Sequence, residues 1–200
     1  MSDINEAMIF AAGFGKRMYP LTTNVPKPLL KVNGKPIISY IIEDLINLNF
    51  KNIVINTHHL SEKFHDELKP YSRIIKIVFE EEILDTGGGF LNAIKRNFFY
   101  NLKSPKVLIN GDILWKKTVH SPIEKILRNW NEEKMDLLLC LIEKRFFFGY
   151  KGKGDFNLEE PQKEISRLNL EQQKDFVFSG LQIVKPKLLQ KKNEKNFSMR

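Results

Sequence analysis

The stretch Ala7-Met8-Ile9-Phe10-Ala11-Ala12-Gly13-Phe14-Gly15-Lys16-Arg17-Met18 decides the fold. Its uncharged apolar run, Ala7–Ala11, reads as a strand, and the glycines that follow turn it into a loop. The same alternation continues outward. Ile37–Asn49 reads as a helix with Pro36 near its start, Ile53–Asn56 as a strand and Ser61–Leu68 as a helix. Ile74–Phe79 is a third strand, and Phe90–Phe98 a helix opened by Gly87-Gly88-Gly89. Lys106–Asn110 is a fourth strand, ending at Gly111-Asp112. Ser121-Pro122-Ile123-Glu124 combines an N-cap serine, a proline at the first helical position and a capping-box glutamate, a helix start. Met135–Glu143 and Phe176–Val184 read as further strands, separated by a loop at Gly149–Gly154. Strands alternating with helices give an α/β fold, a mostly parallel sheet with helices on both faces. Ligands of such sheets sit beyond the carboxyl ends of the strands.

Bulk properties narrow the function. Two hundred residues suit one domain, and 42% hydrophobic residues suffice for a substantial core. The polar start Met1–Glu6 and the short apolar run Ala7–Ala12 do not make a signal peptide, and no run is long enough to span a membrane. The lone Cys140 lies in the apolar run Leu137–Ile142 and reads as a small buried hydrophobe in a reducing compartment. A cytoplasmic protein without membrane partners is therefore expected. The net charge of +8 is spread among acids without a compact basic run, apart from Lys144-Arg145-Phe146-Phe147-Phe148 and the tail Lys185–Lys195. That pattern fits attraction of small phosphorylated substrates better than nucleic-acid binding.

Four motifs carry chemistry, and three of them follow strand ends. Gly13 and Gly15 let the backbone approach a phosphate, and Arg17 can fork onto its oxygens, although a glycine pair also serves an ordinary turn. Met18 stands where a dinucleotide fingerprint needs glycine, and no Gly-Lys-Ser/Thr makes a Walker loop. In Pro26-Lys27-Pro28 the flanking prolines stiffen the backbone around one lysine, which suits charge developing on a phosphoryl group, or is simply a solvated loop. Asp85-Thr86-Gly87-Gly88-Gly89 offers a side-chain-free surface for a base or ribose, or a flexible linker. Asn110-Gly111-Asp112 closes a strand with a carboxylate able to hold Mg²⁺, or with a turn aspartate. His58, His59, His65 and His120 lack metal-ligand spacing and read as surface or loop residues.

Taken in order, Ala12-Gly13-Phe14-Gly15-Lys16-Arg17-Met18, Pro20-Leu21-Thr22, Pro26-Lys27-Pro28-Leu29 and Gly34-Lys35-Pro36-Ile37 resemble the signature of the nucleotidyltransferases that make sugar nucleotides. More narrowly, Asp85–Gly89 is similar to the Glu-Thr-Gly-Gly-Gly segment of N-acetylmuramate alpha-1-phosphate uridylyltransferases of bacterial cell-wall recycling, with Asp85 in place of the Glu. Gly152-Lys153-Gly154-Asp155-Phe156 and Phe178-Ser179-Gly180-Leu181 resemble segments lining the sugar pocket of the same enzymes. The resemblance implies a mixed, mainly parallel, Rossmann-like sheet sandwiched by helices. It implies nucleotide binding by Ala11, Ala12, Gly13, Gly15, Asp85, Gly87 and Gly88, and sugar binding by Asn110, Asp155, Ser179 and Gly180. Arg17, Lys27 and Asp112 are the implied catalytic residues, with Mg²⁺ on Asp112.

The expected reaction joins a sugar 1-phosphate to a nucleoside triphosphate and releases pyrophosphate, with UTP and N-acetylmuramate 1-phosphate as first choice. GTP with mannose 1-phosphate is the second reading, and a non-catalytic nucleotide-binding or regulatory homologue the third. In the resembled enzymes a later strand carries a Trp-x-Asp-x-Gly-Thr type segment with a second metal-binding acid. Nothing after Phe197 matches it, so the 200 residues are expected to be one nucleotidyltransferase domain lacking its C-terminal strand and helix.

Overall fold

Alternate residues of β1 (Glu6–Phe10) serve two different cores. Ala7 and Ile9 face one apolar cluster, Met8 and Phe10 another, so the strand must lie between two layers. A computed structural model describes residues 4–116, 119–159, 164–166, 174–190 and 192–199. After β1 come the short strands β2 (Lys31–Val32) and β3 (Lys35–Pro36), helix α1 (Ile37–Asn47) and strand β4 (Asn52–Thr57). Helix α2 (Glu62–Glu67), β5 (Ile75–Phe79), α3 (Asp85–Lys95), β6 (Lys106–Asn110) and α4 (Pro122–Asn129) follow. Strands β7 (Leu137–Glu143), β8 (Asn157–Glu159), β9 (Glu164–Ser166) and β10 (Phe176–Val184) come last among the described strands.

The main sheet has six strands in the order β5-β4-β1-β6-β10-β7. The first four run parallel, and β10 is antiparallel to both β6 and β7. The mixed, mainly parallel sheet is thus present. Register keeps the alternation in step: Ile9 pairs with Ile55 and Ile109, all on the first cluster, while Met8 pairs with Val54 and Leu108 on the second. Helices α1, α2 and α4 cover the first face through Ile38, Ile41, Leu45, Phe64, Ile123 and Ile126. Helix α3 covers the other with Phe90, Ala93 and Ile94. Ser121 caps α4 as its sequence implies, accepting from the Glu124 amide at 3.1 Å. Among the described residues no helix is long and apolar enough to cross a membrane.

The start of α3 differs from the expected one. The helix begins at Asp85, five residues before Phe90, so Gly87-Gly88-Gly89 are buried residues of its first turns. Helix propensity argues against glycine here, yet packing requires it at Gly89. A Cβ there would stand 2.7 Å from Glu80 Oε1 and 2.8 Å from Asn56 Nδ2.

At the amino end of the sheet, away from the carboxyl ends, Glu6 and Lys106 form an ion pair of 3.1 Å with almost no exposure. Burial pushes the Glu6 carboxyl up, but bonds from the Asn52 side chain and the Tyr100 and Asn101 amides, with Lys106 nearby, hold it below the ordinary glutamate range. Burial lowers the Lys106 ammonium. Replacing Glu6 by Gln is expected to cost about 3–5 kcal/mol, because an uncompensated buried ammonium remains. Since the folded carboxyl titrates below its unfolded value, the parent's stability is expected to fall as pH drops through that range, and the variant's to fall less. Urea unfolding of both proteins at pH 7 and pH 4 checks this.

Candidate functional site

Parallel strands end together, so the loops leaving β1, β4, β5 and β6 meet at one edge. There they enclose a cavity of about 420 Å³. Asn56, near the end of β4, fixes its rear wall. Its Oδ1 accepts from the Ala11 amide at 2.9 Å, and its Nδ2 donates to Glu80 Oε1, also at 2.9 Å. Both side chains are about 98% buried, yet both line the cavity. Burial raises the Glu80 carboxyl above its ordinary pKa, against the bonds from Asn56 and the Leu84 amide. His58, half-buried in the loop after β4, bonds to the Glu80 carbonyl through Nδ1 at 2.8 Å and meets Phe14 edge-on.

The front wall is the loop after β1. Gly15 adopts φ 65, and its carbonyl accepts from Thr22 Oγ1 at 2.9 Å. Its turn carries Lys16 and Arg17, and Gly13 has open space where a Cβ would stand. Pro26 and Pro28 bracket Lys27 as expected, and the buried Pro28 and Leu29 anchor its turn. Lys27 Nζ reaches Asp112 Oδ2 at 2.5 Å across 85 residues of chain. Asp112 follows β6, whose exit is held by the Gly111 amide on the Phe10 carbonyl at 2.8 Å. This wall thus carries cations from one loop and a carboxylate from another.

Of the residues singled out in the sequence, Ala11, Ala12, Gly13, Gly15, Arg17, Lys27, Asp85, Asn110 and Asp112 all line this cavity. Gly87 and Gly88 do not: their amides donate to the Phe197 carbonyl at 2.9 and 3.1 Å. Gly180 adopts φ 83 under the Asn110 carboxamide, where a Cβ would stand 2.6 Å from Asn110 Nδ2. Ser179 Oγ bonds to the Cys140 carbonyl at 2.8 Å and borders a separate apolar hollow that also touches Asp112. Asp155 Oδ2 accepts from the Phe178 amide at 2.9 Å and lies outside the cavity lining. Cys140 is half-buried, and burial pushes its thiol up, away from nucleophilic character.

The sequence reading missed Asn56 and Glu80. Asn56 was legible as a polar residue in a buried strand, but Glu80 opens the acidic run Glu80-Glu81-Glu82, which reads as solvated. Asn56→Ala would orphan the Ala11 amide and the Glu80 carboxyl together. At about 1–3 kcal/mol per orphaned group, it is expected to lower stability by more than 1 kcal/mol and to speed exchange of the Ala11 amide. Denaturant unfolding and amide exchange by NMR check both effects.

Comparison with known proteins bears on this geometry. The N-acetylmuramate alpha-1-phosphate uridylyltransferase of Caulobacter vibrioides is 28% identical over 91% of this chain and 76% of its own length. The bifunctional protein GlmU of Methanococcus maripaludis is 32% identical over 82% of this chain, which spans only 38% of that protein. A UDP-glucose pyrophosphorylase solved with UDP-glucose matches at TM-score 0.74 and 16% identity, covering 98% of this chain and 83% of its own. Residues 6–145, from β1 through β7 and with them the loop, the lysine and the strand-end aspartate, match the nucleotidyl transferase family, and the chain belongs to that family.

Proposed function

We propose that this enzyme transfers a nucleotidyl group from UTP to N-acetylmuramate alpha-1-phosphate, releasing pyrophosphate, in the cytoplasm. The observation that carries the reading is the single cavity where the glycine loop, Arg17, Lys27 and Asp112 converge. Further support comes from the Caulobacter relative, which carries that name, and from Asp85-Thr86-Gly87-Gly88-Gly89. The 200 residues act as a single nucleotidyltransferase domain in this reading.

Phosphoryl-type transfer asks a protein mainly for positioning and charge neutralisation. An oxygen of the sugar phosphate attacks the α-phosphorus in line. The new P–O bond forms as the bond to the bridging α,β oxygen breaks, and that oxygen leaves on pyrophosphate. The Gly13–Gly15 backbone and Arg17 hold the departing pyrophosphate, and Lys27 neutralises the crowded phosphate oxygens. Asn56 and Glu80 keep the Ala11 amide, and with it the loop's exit from the sheet, in place.

A divalent ion fits this donor set. Asp112 is a hard oxygen donor at a strand end, about one-third exposed and facing the cavity. Mg²⁺ is held by one or two carboxylates completed by phosphates and waters, so three clustered acids are not required. Among the described residues no such cluster occurs. When bound, the ion supplies charge neutralisation between the two phosphates.

The test is pyrophosphate release from a panel of nucleoside triphosphates and sugar 1-phosphates with Mg²⁺. The pair UTP and N-acetylmuramate 1-phosphate is expected to be fastest. A folded chain that binds no triphosphate would overturn the reading. Lys27→Ala is expected to lower kcat about a hundredfold with little change in unfolding midpoint, since a partly exposed ion pair stabilises weakly. Asp112→Asn keeps the shape but loses the charge, and is expected to abolish the Mg²⁺-dependent rate in a metal titration. Retention of the parent's metal dependence would place the ligand elsewhere.

A further inference from the structure

We propose that residues 195–199 are a positioning strap for the nucleotide: they cap helix α3 from outside and so hold Asp85 and Thr86 in the cavity wall. This deepens, and rests on, the reading of that cavity as the site of the nucleoside triphosphate. Asp85 and Thr86 line it together with Gly13, Arg17 and Lys27. Phe197 does not line it, so an effect of that residue on the nucleotide must pass through α3.

A helix that opens on Asp85-Thr86-Gly87-Gly88-Gly89 starts badly on its own. Glycine is the weakest helix former short of proline, and the first amides of any helix lack partners within it. Leu84, in the capping position, has no polar side chain to supply one. Asp85 moreover adopts φ 55, a left-handed conformation that persists in a non-glycine residue only where its surroundings impose it.

The strap supplies what the helix lacks. The Phe197 carbonyl accepts from the Gly87 amide at 2.9 Å and from the Gly88 amide at 3.1 Å. Thr86 Oγ1 accepts from the Met199 amide at 3.0 Å, which ties the threonine side chain to the same segment. Phe197 and Met199 pack on the second apolar cluster and anchor the segment there. The glycines are fitted to it: a Cβ on Gly87 would strike the Phe197 ring, and one on Gly88 the Lys195 carbonyl. Two of the three glycines thus answer to the chain's own strap and not to a ligand. An ordered first turn and a seated strap are one state, and a nucleotide that meets Asp85 and Thr86 selects it.

Phe197→Ala loosens the anchor without changing the cavity lining. Exchange of the Gly87 and Gly88 amides is expected to speed up about tenfold, while the β1 and β4 amides keep the parent's protection. Affinity for UTP with Mg²⁺, measured by calorimetry, is expected to fall by about the same factor. Reciprocity then requires UTP to slow exchange of the two glycine amides in the parent about tenfold, a response that a merely structural contact does not give. Gly88→Ala favours the helix itself but pushes Lys195 away. It is expected to lose affinity equally, and it repeats the measurement if the first variant does not fold. UTP bound equally by the parent and Phe197→Ala overturns the proposal, as does exchange in the parent that ignores UTP. Loss of affinity in Gly88→Ala alone would mean that the glycine meets the nucleotide itself, and overturns it too. A parent that binds no UTP fails the transfer reading, and this proposal with it.

Discussion

One buried carboxamide, that of Asn56, holds the working edge of this fold in shape. It accepts from the Ala11 amide at the exit of β1 and donates to Glu80 just after β5. Three neighbouring strands are thereby tied at their carboxyl ends by bonds that cannot be exchanged for water without opening the core. The same pair dictates sequence beyond itself. Helix α3 reaches the sheet only because Gly89 has no Cβ to strike Glu80 and Asn56. The direction in which the glycine loop leaves β1, the depth of the cavity and the approach of α3 are consequences of one side chain's position.

Against that fixed wall the charges are arranged in opposition. Lys27 and Asp112 are drawn from loops 85 residues apart and meet at 2.5 Å. With about a quarter and a third of their surfaces exposed, they add little net stability. In the proposed transfer their value lies in pre-organisation: arriving phosphates would compete with Asp112 for the ammonium, and the carboxylate they displace would become available to a cation. The site's charges are therefore oriented before substrate enters, so little reorganisation is left for the reaction itself.

The six strands of the main sheet and their order along the chain were legible because each is an apolar run closed by a polar or glycine residue, whereas the short pairs β2-β3 and β8-β9 were not. The loop and lysine motifs were legible because prolines and glycines impose local geometry whatever surrounds them. Contacts across the fold were not. Gly87, Gly88 and Gly89 read as the opening of a helix starting at Phe90, yet they lie inside a helix that begins at Asp85, and their environment comes from Glu80, Asn56 and a segment near Phe197. The reversal of β10 left no local mark, since direction in a sheet depends on the crossing connection and not on the strand. Gly180 gains its meaning only from Asn110, a residue 70 positions away that β6 and β10 bring beside it. Glu80 hid in a run of acids, where it invites no notice.

In the proposed reaction the triphosphate lies along the Gly13–Arg17 loop, with Lys27 leaving Asp112 to meet it. A crystal structure of the chain with UTP and Mg²⁺ tests this most directly. The expected result is phosphate oxygens against the loop amides and Arg17, Lys27 Nζ on a phosphate, and the Asp112 carboxylate on the metal. A nucleotide bound away from this loop, or one bound while Lys27 and Asp112 stay paired, would contradict it.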